Sequence, residues 1–252
     1  MAVLVACNLG DVVSEFIGVA SSFQLFGVSK FISVPSAAAL VWVMIVFGDY
    51  KKLEKIFVFL SFLYIAYVVT GILARPSWLE VSRHLVRIPS LRELRQPGYL
   101  YLSVGVIGAT IAPWQQFYLQ ASIVEKGSSP KHLKYSQIDA IVGSLFSVIV
   151  AGFIVVVCAV TLFTHGYTHI NDAADAAQSL RPLGGQYTFI LFSVGLLNAS
   201  LFAASILPLS TSYTVCHALG FESGLNKRFK DAPAFYWLYT LLLLLGAAAL
   251  VS

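Results

Sequence analysis

Seven apolar runs, at roughly 2–27, 31–48, 56–74, 99–124, 138–163, 186–218 and 233–252, dominate this chain. A helix that crosses a bilayer needs about 20 mostly apolar residues. The run at 31–48 is short for that purpose, and the run at 186–218 is long enough to tilt or break. Closed barrels also satisfy every backbone group in lipid, but their strands alternate in polarity and these runs do not. Composition points the same way. Charged residues make up 11% of the chain and hydrophobic ones 58%, against about 25% and 45–50% in soluble domains. The expected fold class is all-α, a polytopic transmembrane helical bundle forming one transmembrane domain over 1–252.

The loops predict how the chain is oriented. Lys51, Lys52 and Lys55 follow the second run, Lys126, Lys131 and Lys134 the fourth, and Lys227, Arg228 and Lys230 the sixth. Opposite them lie Lys30, Arg181 and a connector at 75–98 with Arg75, Arg83, Arg87, Arg92 and Arg95. Two of the three comparisons favour the lysine-rich loops as cytoplasmic, with the first run passing from inside to outside. The net charge of +4 resides in these loops and is no nucleic-acid signature. The connector reads either as an interfacial helix, with Trp78, Leu79, Val81, Leu85 and Ile88 facing lipid headgroups, or as a solvated loop. Cys7, Cys158 and Cys216 lie in or beside apolar runs without CxxC spacing, as small buried residues do. The last run stops at Ser252 without a flanking charge, so the chain reads as a fragment of a longer membrane protein.

Charges within membrane runs are costly and mark functional candidates. Asp11 and Glu15 stand four residues apart on one helical face. They form either a structural hydrogen-bonding pair or an inner polar path for an ion or proton. Asp139, near a lysine-rich loop, is expected to stabilise a helix N-terminus. In the fourth run, Gly105-Val-Ile-Gly-Ala109-Thr110-Ile-Ala112-Pro113-Trp114-Gln115-Gln116 carries a proline in mid-run. Proline removes an amide donor and frees carbonyls near Ala109 and Thr110. Broken helices of this kind build ion sites in secondary transporters, with Thr110 and Gln115 as neutral oxygen donors; a packed kink is the alternative. The hydroxyl-rich sixth run, from Asn198 to Thr214, reads as helix packing through small residues. His165 and His169, near Asn171, Asp172 and Asp175, offer a weak outer cation vestibule or a plain loop. No nucleophile–base arrangement, phosphate loop or two-histidine zinc motif is present, so an enzyme is not expected and no cofactor is implied.

At these residues the sequence resembles the Nramp family of divalent-metal transporters, from that family's third helix to within its ninth. Gly10-Asp11 with Glu15-Phe-Ile-Gly18, Leu53-Glu54-Lys55, Ala74-Arg75-Pro76 and Val104 to Pro113 carry the likeness, in order and spacing together. The resemblance implies part of a LeuT-type fold of inverted repeats, with metal bound between two unwound helices by alternating access. It implies metal contacts at Ala109, through its carbonyl, and at Ala112, with Thr110 or Gln115 holding an ion-bound water and Pro113 keeping the break. The first two helices of the family, with their Asp and Asn ligands, would be missing partners from the same protein.

Two departures refine the expectation. Typical transition-metal members carry Met-Pro-His where this chain has Ala112-Pro113-Trp114. A thioether suits soft ions and rejects magnesium, whereas Mg²⁺ prefers to keep its waters. The pattern is similar to the prokaryotic Nramp-related magnesium transporters, which implies Mg²⁺ or Mn²⁺ as substrate and a prokaryotic inner membrane as location. Proton-coupled members keep that His and an Asp three residues before the Glu; here these are Trp114 and Val12, with Asp11 about 100° away around the helix. Weak or absent proton coupling follows. A LeuT-fold carrier of an organic substrate and a non-transporting fragment are the alternatives.

Overall fold

The computed structural model of the protein describes residues 1–48, 50–163, 166 and 173–251, with the backbone alone described over 173–185 and at 188. The described residues are helical, without a strand. In order they form α1 (Ala2–Leu25), α2 (Lys30–Phe47), α3 (Tyr50–Ser61), α4 (Ile65–Leu73), α5 (Trp78–Val86), α6 (Leu91–Leu94), α7 (Pro97–Thr110), α8 (Pro113–Glu125), α9 (Leu133–Thr161), α10 (Ala173–Leu219) and α11 (Pro233–Val251). Among the described residues six stretches are long and apolar enough to cross a membrane: α1, α2, Tyr50–Leu73, Pro130–Thr161, Phe189–Leu219 and α11. The run at 99–124 is not among them, because it is divided between α7 and α8.

Boundaries follow local chemistry. α1 stops where the amides of Gly27 and Val28 turn back onto the carbonyls of Gln24 and Phe23, as at many helix C-termini. Ser29 then caps α2 by accepting from the Phe31 amide. The third span begins at Tyr50, earlier than the apolar run at 56, because Lys51, Lys52, Glu54 and Lys55 are good helix formers that extend it beyond the apolar part. A 3₁₀ turn at Phe62–Tyr64 separates α3 from α4. α10 runs unbroken past Pro208. Ser205, Thr211, Ser212 and Thr214 each donate to the carbonyl four residues back, at 2.7–2.9 Å. These hydroxyls therefore serve their own helix first.

α10 is the axis of the bundle, packed against α1, α2, α4, α8, α9 and α11. One apolar core joins α1, α2, α3, α10 and α11 around Phe16, Ile45, Leu209, Phe235 and Tyr239. A second core sets Tyr67 of α4 and Phe192 of α10 against Val150 and Val157 of α9. α7, by contrast, buries none of its residues. The three cysteines are free thiols, exposed at Cys7, half-buried at Cys158 and buried at Cys216.

The connector at 75–98 is neither a featureless loop nor one helix: it holds α5 and the single turn α6, which begins in a capping box. The Ser90 amide and hydroxyl and then the Arg87 guanidinium hold the Glu93 carboxyl below the usual carboxylate range. The lysine-rich loops meet at one end of the bundle. Tyr50 shares a 2.6 Å hydrogen bond with Ser122, and residues 224–226 approach the end of α8. At the other end Lys30 donates to the Leu250 carbonyl at 2.8 Å.

A tight seam in the first core lies between α1 and α11. A Cβ placed at Gly246 would sit 2.5 Å from Cγ1 of Val12, a β-branched side chain with little room to turn. Gly246→Ala should therefore cost about 1–3 kcal/mol, read as a lower melting temperature in mild detergent. Full retention of wild-type stability in that variant would mean that the two helices are not held at this distance.

Candidate functional site

The break between α7 and α8 is two residues long. Ile111 has φ −119° and ψ 61°, and Ala112 has φ −75° and ψ 136°, so the chain leaves the helix at Thr110 and re-enters it at Pro113. The Ile111 amide donates to Ile107 at 2.9 Å and the Gln115 amide to the Ala112 carbonyl at 3.1 Å. Pro113, four residues after Ala109, has no amide to offer the Ala109 carbonyl. The Thr110 hydroxyl donates back to Val106 at 2.7 Å, leaving only its oxygen lone pairs for anything else. Ala109, Thr110 and Gln115 are exposed, whereas Ala112 is buried.

Side chains on α10 hold the break in place. Ser210 donates to the Trp114 carbonyl at 2.9 Å, which fastens the first turn of α8. The neighbouring Thr211 accepts from Asn8 of α1 at 2.8 Å, and both residues are buried. Trp114 itself packs against the main core.

Glu15 does not join this group. It is half-buried on α1, three residues before Gly18, which faces Ser200 of α10. Ser200 and Ser210 are ten positions apart on one helix, which separates them by about 15 Å. Beside Ser200, Asn198 donates to the Leu60 carbonyl at 3.0 Å. Polar chemistry thus occupies two levels of α10. Asp11 is exposed on α1, while its neighbour Val12 is fully buried against α11. The structure therefore fastens the break to α10 at Trp114, and leaves Glu15 and Asp11 apart from it.

A third cluster was not singled out from the sequence. Glu125, the last residue of α8, accepts from the Tyr213 hydroxyl at 2.8 Å, the Leu225 amide at 3.1 Å and Asn226 Nδ2 at 2.7 Å. Gly224, at φ +144°, leaves this carboxylate its space, since a Cβ there would lie 2.7 Å from Oε1. The next residue, Lys126, reaches Glu54 of α3 at 2.8 Å and Asp139 of α9 at 3.4 Å. Asp139 thus pairs across to α8 from within α9 instead of serving the helix start. Partial burial pulls the Lys126 ammonium down, but the hydrogen bond to Glu54 and the surrounding charges outweigh it and leave it above the ordinary lysine value. The only sequence signal for this knot was a carboxylate beside a lysine where an apolar run ends.

No group of three His, Cys, Asp or Glu among the described residues could hold a metal ion. A cation at the break would have backbone carbonyls and neutral oxygens as its first partners. His165, His169, Asn171 and Asp172, and the side chains of Asp175 and Arg181, lie outside the described residues.

Comparison with known proteins covers the whole chain. The family model described as natural resistance-associated macrophage protein-like (Nramp) matches residues 1–252. A divalent metal cation transporter MntH from Ralstonia nicotianae is 31% identical over 209 residues, 78% of this chain and 46% of the relative. The protein of the same name from Clostridium acetobutylicum is 32% identical over 149 residues, 56% of this chain and 33% of the relative. That from Brucella suis biovar 1 is 25% identical over 207 residues, 78% and 44%. The chain therefore spans about half the length, or less, of the curated relatives it matches.

Removing the Glu125 carboxylate leaves the Tyr213 hydroxyl and the Asn226 amide without their acceptor. Glu125→Ala should cost about 1.5–3 kcal/mol, the range for hydrogen bonds to a charged group. Thermal unfolding in detergent measures this, with Glu80→Ala on exposed α5 as control. An equal, small loss in both variants would deny the cluster any role in holding α8.

Proposed function

The chain belongs to the Nramp family, and on that premise we propose that it is the part of a divalent-metal cation transporter that contributes one of two unwound helices to the ion path. The observation that carries this reading is the two-residue break at Ile111–Ala112, where Pro113 denies the Ala109 carbonyl its amide partner. A carbonyl in that position needs water, a neighbouring helix or an ion. Ser210 and the packed Trp114 support the break from behind, so that α8 is held while its N-terminal end is left open.

Within this reading the ion is Mg²⁺ or Mn²⁺, retained with part of its water shell. The Ala112 side chain offers no thioether, so nothing at this residue selects soft ions over hard ones. The Ala109 carbonyl is a direct ligand, and Thr110 and Gln115 hold ion-bound water. Proton coupling is weak or absent. The burial of Val12 and exposure of Asp11 support this, because Asp11 does not take over the inward-facing position one residue on. Trp114, packed into the core, has no titratable group to offer. Glu15 then lines a polar path about 15 Å along α10 from the break. Movement between inward- and outward-open states, the alternating access of the family's fold, completes the proposal.

Proteoliposomes containing the longest reading frame that includes this chain test the proposal, with Mg²⁺ and Mn²⁺ uptake followed beside an internal pH dye. Uptake of both ions without acidification is the expected result. Mn²⁺ uptake with acidification and without Mg²⁺ would overturn the magnesium and uncoupled parts together. Ala112→Met should shift preference from Mg²⁺ towards Mn²⁺ or Cd²⁺ by roughly tenfold, about 1.4 kcal/mol. Unchanged selectivity would remove Ala112 from the filter.

A further inference from the structure

The connector between α4 and α7 is the part of the molecule that the ion path does not use. It spans 75–98, and its helices of nine and four residues are far too short to cross a bilayer. It is therefore confined to one membrane face, bracketed by the end of α4 at Leu73 and the start of α7 at Pro97. Trp78 anchors it edge-on against Phe153 of α9, with ring centroids 5.9 Å apart, and is still 50% exposed. Beyond that contact α5 leaves apolar residues uncovered: Leu85 is 80% exposed and Val86 81%. On the α5 wheel Trp78, Val81, Leu85 and Val86 share one side, and Glu80, Arg83 and His84 the other.

Charge adds a second, independent observation. The connector holds five arginines and two glutamates, a balance of 5 − 2 = +3. Only Arg87 is paired, with Glu93 at 2.7 Å; Arg75, Arg83, Arg92 and Arg95 have no ion-pair partner among the described residues. Arg75 also stands at φ +49°, a left-handed conformation that costs any residue but glycine free energy. It precedes Pro76, which restricts it further. Glycine would be the unstrained choice for this turn, and a guanidinium is kept there instead.

From the uncovered apolar side, the unpaired arginines and the strained one, we infer that the connector is a docking surface for anionic phospholipid headgroups. The apolar side of α5 enters the boundary between headgroups and acyl chains, and the arginines bind phosphate from the adjoining lipids. Each basic residue near an anionic membrane surface adds to this attraction, and salt weakens it. The inference is independent of which ion is carried.

Nanodiscs of phosphatidylcholine alone, and of phosphatidylcholine with phosphatidylglycerol, provide the test, using the full chain. Hydrogen exchange of the amides in 78–94 and retention of each lipid through native mass spectrometry are the two readouts. Phosphatidylglycerol should slow exchange in this segment and be retained in preference to phosphatidylcholine, and inorganic phosphate should displace neither effect. The triple variant R83Q/R92Q/R95Q should lose roughly tenfold or more of that preference, while R83K/R92K/R95K keeps most of it. Arg75→Gly relieves the backbone and removes a charge together, so it should melt no lower than wild type in detergent and still bind phosphatidylglycerol less. Equal protection in phosphatidylcholine would mean that protein or a neutral interface covers α5, and would overturn the inference. So would displacement by inorganic phosphate, or undiminished preference in either charge-removing variant.

Discussion

A carbonyl oxygen within a bilayer has no bulk water to turn to, and much of this bundle is arranged around supplying donors to such oxygens. The donors come mainly from side chains on α10. Ser210 serves Trp114 at the start of α8, and Asn198 serves Leu60 beside the turn in the third span. At the far end Lys30 serves Leu250 near the end of α11. Each of these bonds joins elements far apart in sequence, so the same interaction that satisfies a backbone also sets which helices are neighbours. Several hydroxyls that meet no foreign carbonyl turn back to their own helix, as Thr211, Ser212 and Thr214 do.

Such bonds require the helices to approach closely, and small residues permit it. Gly18 faces Ser200, Gly195 faces the Tyr67 ring and Gly246 faces Val12. In lipid the apolar surfaces of two helices gain little by leaving the solvent, since acyl chains are as apolar as leucine. Contact distance and hydrogen bonds therefore carry more of the association here than they would in a water-soluble bundle. This accounts for the contrast between α10, buried along much of its described length, and α7, which is apolar yet buries nothing.

Local features were the legible ones. Six spans followed from run length, and Pro113 lies where the fourth run divides, because a missing amide acts on its own helix. The start at Tyr50 was not legible, since a hydropathy pattern ends where charges begin and a helix need not. The Glu125 cluster was hidden for another reason. Its donors, Tyr213, Leu225 and Asn226, come from 88 to 101 positions away, and no local pattern announces them. Asn8 was not singled out, although it is a polar residue in an apolar run, seven positions before Glu15 and so on the same side of α1. What it could not disclose was its partner, Thr211. Asp11 and Glu15 share a helical face by spacing, yet burial separates them, because α10 covers only one edge of that face.

The bond from Asn198 to Leu60 has a mechanical meaning. A 3₁₀ stretch inside a helical span often marks a hinge, and the one at Phe62–Tyr64 lies between α3 and α4. A bare pivot would let either arm move alone. With the Asn198 amide holding the carbonyl just before the turn, rotation there pulls on α10, which also grips α8 through Ser210. The third span and the broken helix are thus joined twice, through α10 as a common shaft and directly at the end of α8, where Tyr50 meets Ser122 and Glu54 meets Lys126.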